Sequence, residues 1–183
     1  MLTTLALFAA LALQTPPAAQ DPDGPIATGG STPVRETAEA LRSREAIAYA
    51  YDLPRGAPSE DYPLVAWCDA LVSGHVKLGE SLTTKDALDL EIVRLGKLEA
   101  EDFRTALATA APRQRPATRQ AADEAAARAS AMWTPLLANE DEQVRSQAFG
   151  LFFGLPGRCE HAARRIRDNI TTPPATPKDV GLE

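Results

Sequence analysis

Residues 64–80 read "LVAWCDALVSGHVKLGE", and the assignment of this run decides the fold. Leu64, Trp67, Cys68, Leu71, His75 and Leu78 recur at three- and four-residue intervals, while Asp69, Ser73, Lys77 and Glu80 form a polar stripe. Val65, Val72 and Val76 widen the apolar side. An apolar side this broad predicts a helix over about 60–80 at the centre of a bundle.

Working outward, five further helical segments flank it. Upstream, Thr32-Pro33 supplies a cap residue before a first-turn proline, opening a helix to about residue 52 that "DLPRGAP" ends. Its apolar side is Ala38, Leu41, Ile47, Ala48 and Tyr51. Downstream, a third helix over about 84–111 places Leu88, Ile92, Leu95, Ala106, Leu107 and Ala110 inward, with Gly96 as a bend. A fourth, over about 117–134, is rich in alanine and allows close approach of a neighbour. Asn139 and Glu142 form a capping box for a fifth, and a sixth over about 157–170 aligns Cys159, Ala162, Ala163, Ile166 and Ile170. Nothing between 32 and 170 alternates with period two for long enough to form a strand. Aromatics are only 5% of the chain and alanine is abundant, which favours helix over sheet. The expected architecture is an all-α bundle of about six helices, one domain over 32–170 of the 183 residues.

The flanks belong to other classes. Residues 1–20, "MLTTLALFAALALQTPPAAQ", carry no charge and an apolar run from Leu5 to Leu13. That run is too short to span a bilayer and suits a secretory signal peptide, with cleavage near Ala19 or Gln20, although no Lys or Arg follows Met1. Residues 21–31 read as a flexible linker, and 171–183, with three prolines and little to bury, as a disordered tail. The mature chain is then expected to be periplasmic or secreted, with no integral membrane segment.

Export changes how the two cysteines read, because that compartment permits disulfides. Cys159, Glu160 and His161 are consecutive and resemble a reactive cluster. On a helix, however, positions two apart point about 200° away from each other, so Cys159 and His161 cannot act as a dyad. Cys159 faces the apolar stripe of its helix, as Cys68 does on the central one, and a Cys68–Cys159 disulfide between the two helices is expected. His161 falls on the outer, solvated face, and His75 on the inner stripe as a hydrogen-bonded core residue. No H-x-x-x-H or C-x-x-C spacing supports a metal site, and no catalytic or cofactor-binding residue is assigned. The carboxylates Asp86, Asp89, Glu91, Glu99, Glu101 and Asp102 read as a solvated face.

Formal charge is −6, and no basic face of the kind that binds nucleic acid is present. One cationic run stands out. Arg164, Arg165 and Arg167 suit the dipole at the end of the sixth helix, and together with Arg158 they are also a candidate anionic docking patch. A weak internal echo is also present, since Leu53-Pro54-Arg55-Gly56 and Leu155-Pro156-Gly157-Arg158 each precede a cysteine-bearing helix.

The stretches "YDLPRGAP", "LVAWCDALVSGH" and "LPGRCEHAA", about thirty residues together, resemble a group of uncharacterised exported helical proteins of alpha-proteobacteria. The resemblance implies a compartment and carries no activity or site residue. The function expected is that of a non-enzymatic binding or interaction protein of the cell envelope, its partner a protein or a small anionic ligand. The alternative is an envelope enzyme whose acids and histidine meet only in three dimensions.

Overall fold

The computed structural model describes residues 36–152 and 154–182. They form six α-helices: α1 (Ala38–Ala50), α2 (Asp61–Ser81), α3 (Ala87–Ala110), α4 (Pro116–Leu137), α5 (Glu142–Gly150) and α6 (Arg158–Arg167). No strand occurs among the described residues. The segments read as signal peptide and linker lie outside them, as does the Thr32-Pro33 cap.

α2 is the hub, packed against α3, α4, α5 and α6. Leu64, Val65, Cys68, Val72 and Leu78 are fully or almost fully buried along it. Small residues set how closely its neighbours approach. α4 turns Ala122, Ala125 and Ala129 toward the core, and the Trp133 indole rests on Gly74, where a Cβ would lie only 2.1 Å from Trp133 Cδ1. Gly96, expected to bend α3, instead admits α2: a Cβ there would sit 2.7 Å from Val76 Cγ2.

Local signals place the helix starts. The Thr37 hydroxyl accepts from the Ala40 N–H at 3.1 Å, and Asp86 and Asp89 form a reciprocal capping box on α3. The box expected from Asn139 and Glu142 does not form. Asp141 caps α5 through the N–H groups of Gln143 and Val144, and Glu142 reaches away to accept from the Thr83 and Thr84 N–H groups at 2.7 and 3.1 Å. A carboxylate that can neutralise two loop donors is better placed there than bent back on its own helix.

Three expectations about exposure are corrected. Leu88 and Leu95 are 66% and 50% exposed, because they lie off the side of α3 that turns Val93 and Gly96 onto α2. On α1 the buried residues are Glu45 and Ala46, while Ile47 and Tyr51 remain open to solvent. The segment after α6, read as a disordered tail, folds back to a short 3₁₀ turn (Lys178–Val180) lying against α1. It is held there because the Thr172 carbonyl accepts from Arg165 Nη2, while Thr176 and Asp179 bond each other across the turn.

Cys68 and Cys159 form the expected disulfide, with Cα atoms 6.2 Å apart, fastening α6 to the hub. No described helix is long and apolar enough to cross a membrane. Replacing both cysteines by alanine should lower the unfolding free energy by about 4–5 kcal/mol in the chain-entropy model, read from urea titrations of the oxidised wild type and the variant. A change below about 1 kcal/mol would show that the bond does not constrain the unfolded chain.

Candidate functional site between α1 and the start of α6

Helix α6 is lined with arginines, and α1 is built to receive them. Glu45, 7% exposed, accepts from Arg164 Nη2 at 2.6 Å and from Arg165 Nη1 at 2.8 Å. Arg165, itself 6% exposed, also donates through Nε to Asp61 of α2 at 3.1 Å. Burial works against the Arg165 charge, but hydrogen bonds to Glu45 and Asp61 outweigh it and its pKa is raised. Asp61 accepts in addition from the Tyr49 hydroxyl at 2.7 Å, and burial with this contact pushes the phenol pKa up. Arg158 donates to the Ser59 carbonyl at 2.6 Å, its guanidinium 4.3 Å from the centre of the Tyr49 ring. Arg167 pairs with Asp102 of α3 at 2.8 Å.

The four arginines read as a candidate docking patch are therefore not a free cationic face. Each is engaged by an internal acceptor, because α1, α2 and α3 bring carboxylates or carbonyls to them. Glu45, Tyr49 and Asp61 were not singled out from sequence, since a lone Glu or Tyr on a polar helix side carries no local signal of an arginine facing it.

His161 is the second correction. It is only 3% exposed instead of solvated, because α1 covers the side of α6 that points away from Cys159. Burial lowers its pKa, against the opposing influence of Glu160 and Glu45, while Arg44 and Arg164 act in the same direction as burial. Among the described residues no group hydrogen-bonds either ring nitrogen. His75 is the buried core residue expected: its Nε2 lies 2.9 Å from the Phe149 carbonyl, its ring stacks 4.4 Å from that of Phe149, and burial lowers its pKa.

His161 lines a cleft of about 620 Å³ between the last turn of α1 and the turn that starts α6. Ile47, Tyr51, Leu53, Pro54, Leu155 and Pro156 supply apolar walls. Arg44, Asp52, Arg158 and Glu160 add two charges of each sign. Arg44 lies at the rim, held by Glu36 at 2.6 Å and by Glu160 at 3.4 Å. The two Leu-Pro turns that echo one another in sequence thus face each other across this opening, and they were its only sequence signal. Cys159 takes no part, being closed in the disulfide. The volume and the mixture of apolar walls with a few converging polar groups are those of a small-molecule site. Among the described residues no three His, Cys, Asp or Glu side chains group closely enough to hold a metal ion.

No protein-family model, curated protein or solved structure matches this chain.

Two outcomes follow from this geometry. Glu45→Ala should destabilise the fold by about 3–5 kcal/mol, because it removes one of the three acceptors of the buried Arg165 and the carboxylate partner of Arg164; a loss under about 1 kcal/mol, measured by urea unfolding, would show the pair is dispensable. The two imidazoles should also make the protein acid-labile. With both folded values lowered, the unfolded chain binds protons that the folded chain refuses. Stability should therefore be full above about pH 6.5 and fall with pH through the window down to the lowered folded values. Urea midpoints between about pH 7 and 5.5 should report a net uptake of protons on unfolding, and His161→Gln should reduce that uptake.

Proposed function

We propose that this chain is an exported, non-enzymatic binding protein, periplasmic or secreted, that holds its ligand in the cleft between α1 and α6. One observation carries the reading: a buried imidazole with no hydrogen-bond partner among the described residues lines an opening large enough for a small molecule. An imidazole at the wall of such an opening can donate to or accept from a polar group of the ligand through its ring nitrogens. The intramolecular disulfide is consistent with an oxidising compartment, and the apolar leader with export.

An enzymatic reading has one observation in its favour, the convergence of His161, Glu160 and Asp52 on the same cleft. Glu160 is already drawn to Arg44, which leaves the imidazole and the Asp52 carboxylate as the groups suited to move a proton.

A fragment screen by NMR tests the proposal, with the His161 imidazole resonances as the reporter. Fragments that combine an apolar body with a hydrogen-bonding group should shift those resonances in the wild type and leave them unmoved in Ala48→Trp, which fills the cleft. Hits that ignore this substitution, or a screen in which His161 never responds, would overturn the cleft as the site. Conversion of a bound fragment would move the assignment to the enzymatic reading. Mature protein recovered from the cell envelope with Met1 retained would overturn export by a cleaved leader.

A further inference from the structure

A second cavity of about 310 Å³ adjoins the cleft, and the two share Pro54, Gly154 and Pro156 as lining. Its chemistry is different. Trp67, Leu71, Met132, Trp133, Leu136 and Phe152 make its walls, and Arg55 is the one charged residue among the described residues that line it. Met132, 59% exposed, stands at its mouth. Its back is rigid, because the Trp133 indole is pressed onto Gly74 and braced by Phe152 at 5.6 Å between ring centres. The three shared residues thus separate a charged compartment from an aromatic and aliphatic one.

We infer that the two compartments are one bipartite site for a single-chain zwitterionic amphiphile, its charged head in the α1–α6 cleft and its alkyl chain against Trp67 and Trp133. The inference rests on the binding reading above and names the ligand class. Charge matching selects the head. Arg44 and Glu160 already pair with each other, which leaves one charge of each sign on the same space: the Asp52 carboxylate, and Arg158, whose guanidinium meets a carbonyl and no carboxylate among the described residues. A purely anionic head would meet Asp52, a purely cationic one Arg158, and a head with both charges can satisfy each. The exposed Tyr51 ring beside Asp52 suits the cationic end of such a head. Volume selects the tail: at ~30 Å³ for a water-sized group, comparable to a methylene, the apolar compartment takes about ten units. That is one medium-length chain and too little for two.

The molecule carries its own reporter, because the only two tryptophans of the chain both line the apolar compartment. Decylphosphocholine, titrated below its micellar concentration, should produce a saturable 1:1 change in tryptophan emission together with a shift of the His161 resonances. Decanoate and decyltrimethylammonium, with the same chain and one charge each, should bind at least tenfold more weakly. Met132→Glu, an exposed position where the fold tolerates charge, should weaken decylphosphocholine at least tenfold with an unchanged melting temperature. Phosphocholine without a chain should move His161 and leave the tryptophans silent.

If decylphosphocholine shifts His161 but never the tryptophans, the bipartite site is overturned and the cleft reading stands. Equal binding of all three heads, or wild-type binding by Met132→Glu, overturns it as well. A leucine- and lysine-rich amphipathic peptide that changes tryptophan emission where the amphiphile does not would replace the amphiphile by a protein partner. Failure of every probe at His161 counts against both proposals.

Discussion

Helix α2 meets solvent along only a narrow stripe, and the rest of the molecule is arranged around that constraint. Its apolar residues occupy most of its circumference, with Asp69, Ser73, Lys77 and Glu80 leaving just one polar line. Each neighbour must approach a different side, and small residues decide how closely. Gly74 accepts an indole, Gly96 of α3 accepts a valine, and the alanines of α4 lie at contact distance. Packing of this density leaves little freedom in where the turns between helices emerge. The Leu-Pro turns before α2 and before α6 are consequently held opposite one another.

The outer layer obeys electrostatics more than the hydrophobic effect. α1 has only Glu45 and Ala46 fully buried, too little apolar surface to hold it by burial alone. It is held through Glu45, which neutralises Arg164 and Arg165, and through Tyr49, which links Asp61 to the guanidiniums of Arg158 and Arg165. Buried ion pairs of this kind confer position more reliably than net stability, since desolvation offsets much of the attraction. Here position is what the cleft needs, because α1 forms one of its walls and covers His161. The C-terminal segment extends the same logic, its Thr172 carbonyl completing the Arg165 contacts.

A chain of dependence thus runs from composition to site. An alanine-rich sequence makes closely packed helices, the disulfide and the ion pairs orient the first and last of them, and their junction leaves an opening with polar groups of both signs. Beside it, α4 contributes an aromatic wall to a second opening whose polarity is opposite. The contrast between adjacent compartments, more than either one alone, gives the molecule a chemical direction.

Much of the architecture was legible in the chain itself. Helical periodicity placed all six helices, and two inward cysteines on separate helices were enough to pair Cys68 with Cys159, because a helix face is a local property of three- and four-residue spacing. Inward and outward could not be read for residues whose cover arrives from far along the chain. His161 is buried because α1 lies over it, Leu88 and Leu95 are exposed because no described element reaches them, and Arg165 is neutralised by Glu45, 120 residues away. The stretch "LVAWCDALVSGHVKLGE" determined by itself that a central helix would exist and which way its cysteine would face. Which helix would cover the other side of α6, and so whether its histidine and arginines would be surface or site, was decided only when the chain closed on itself.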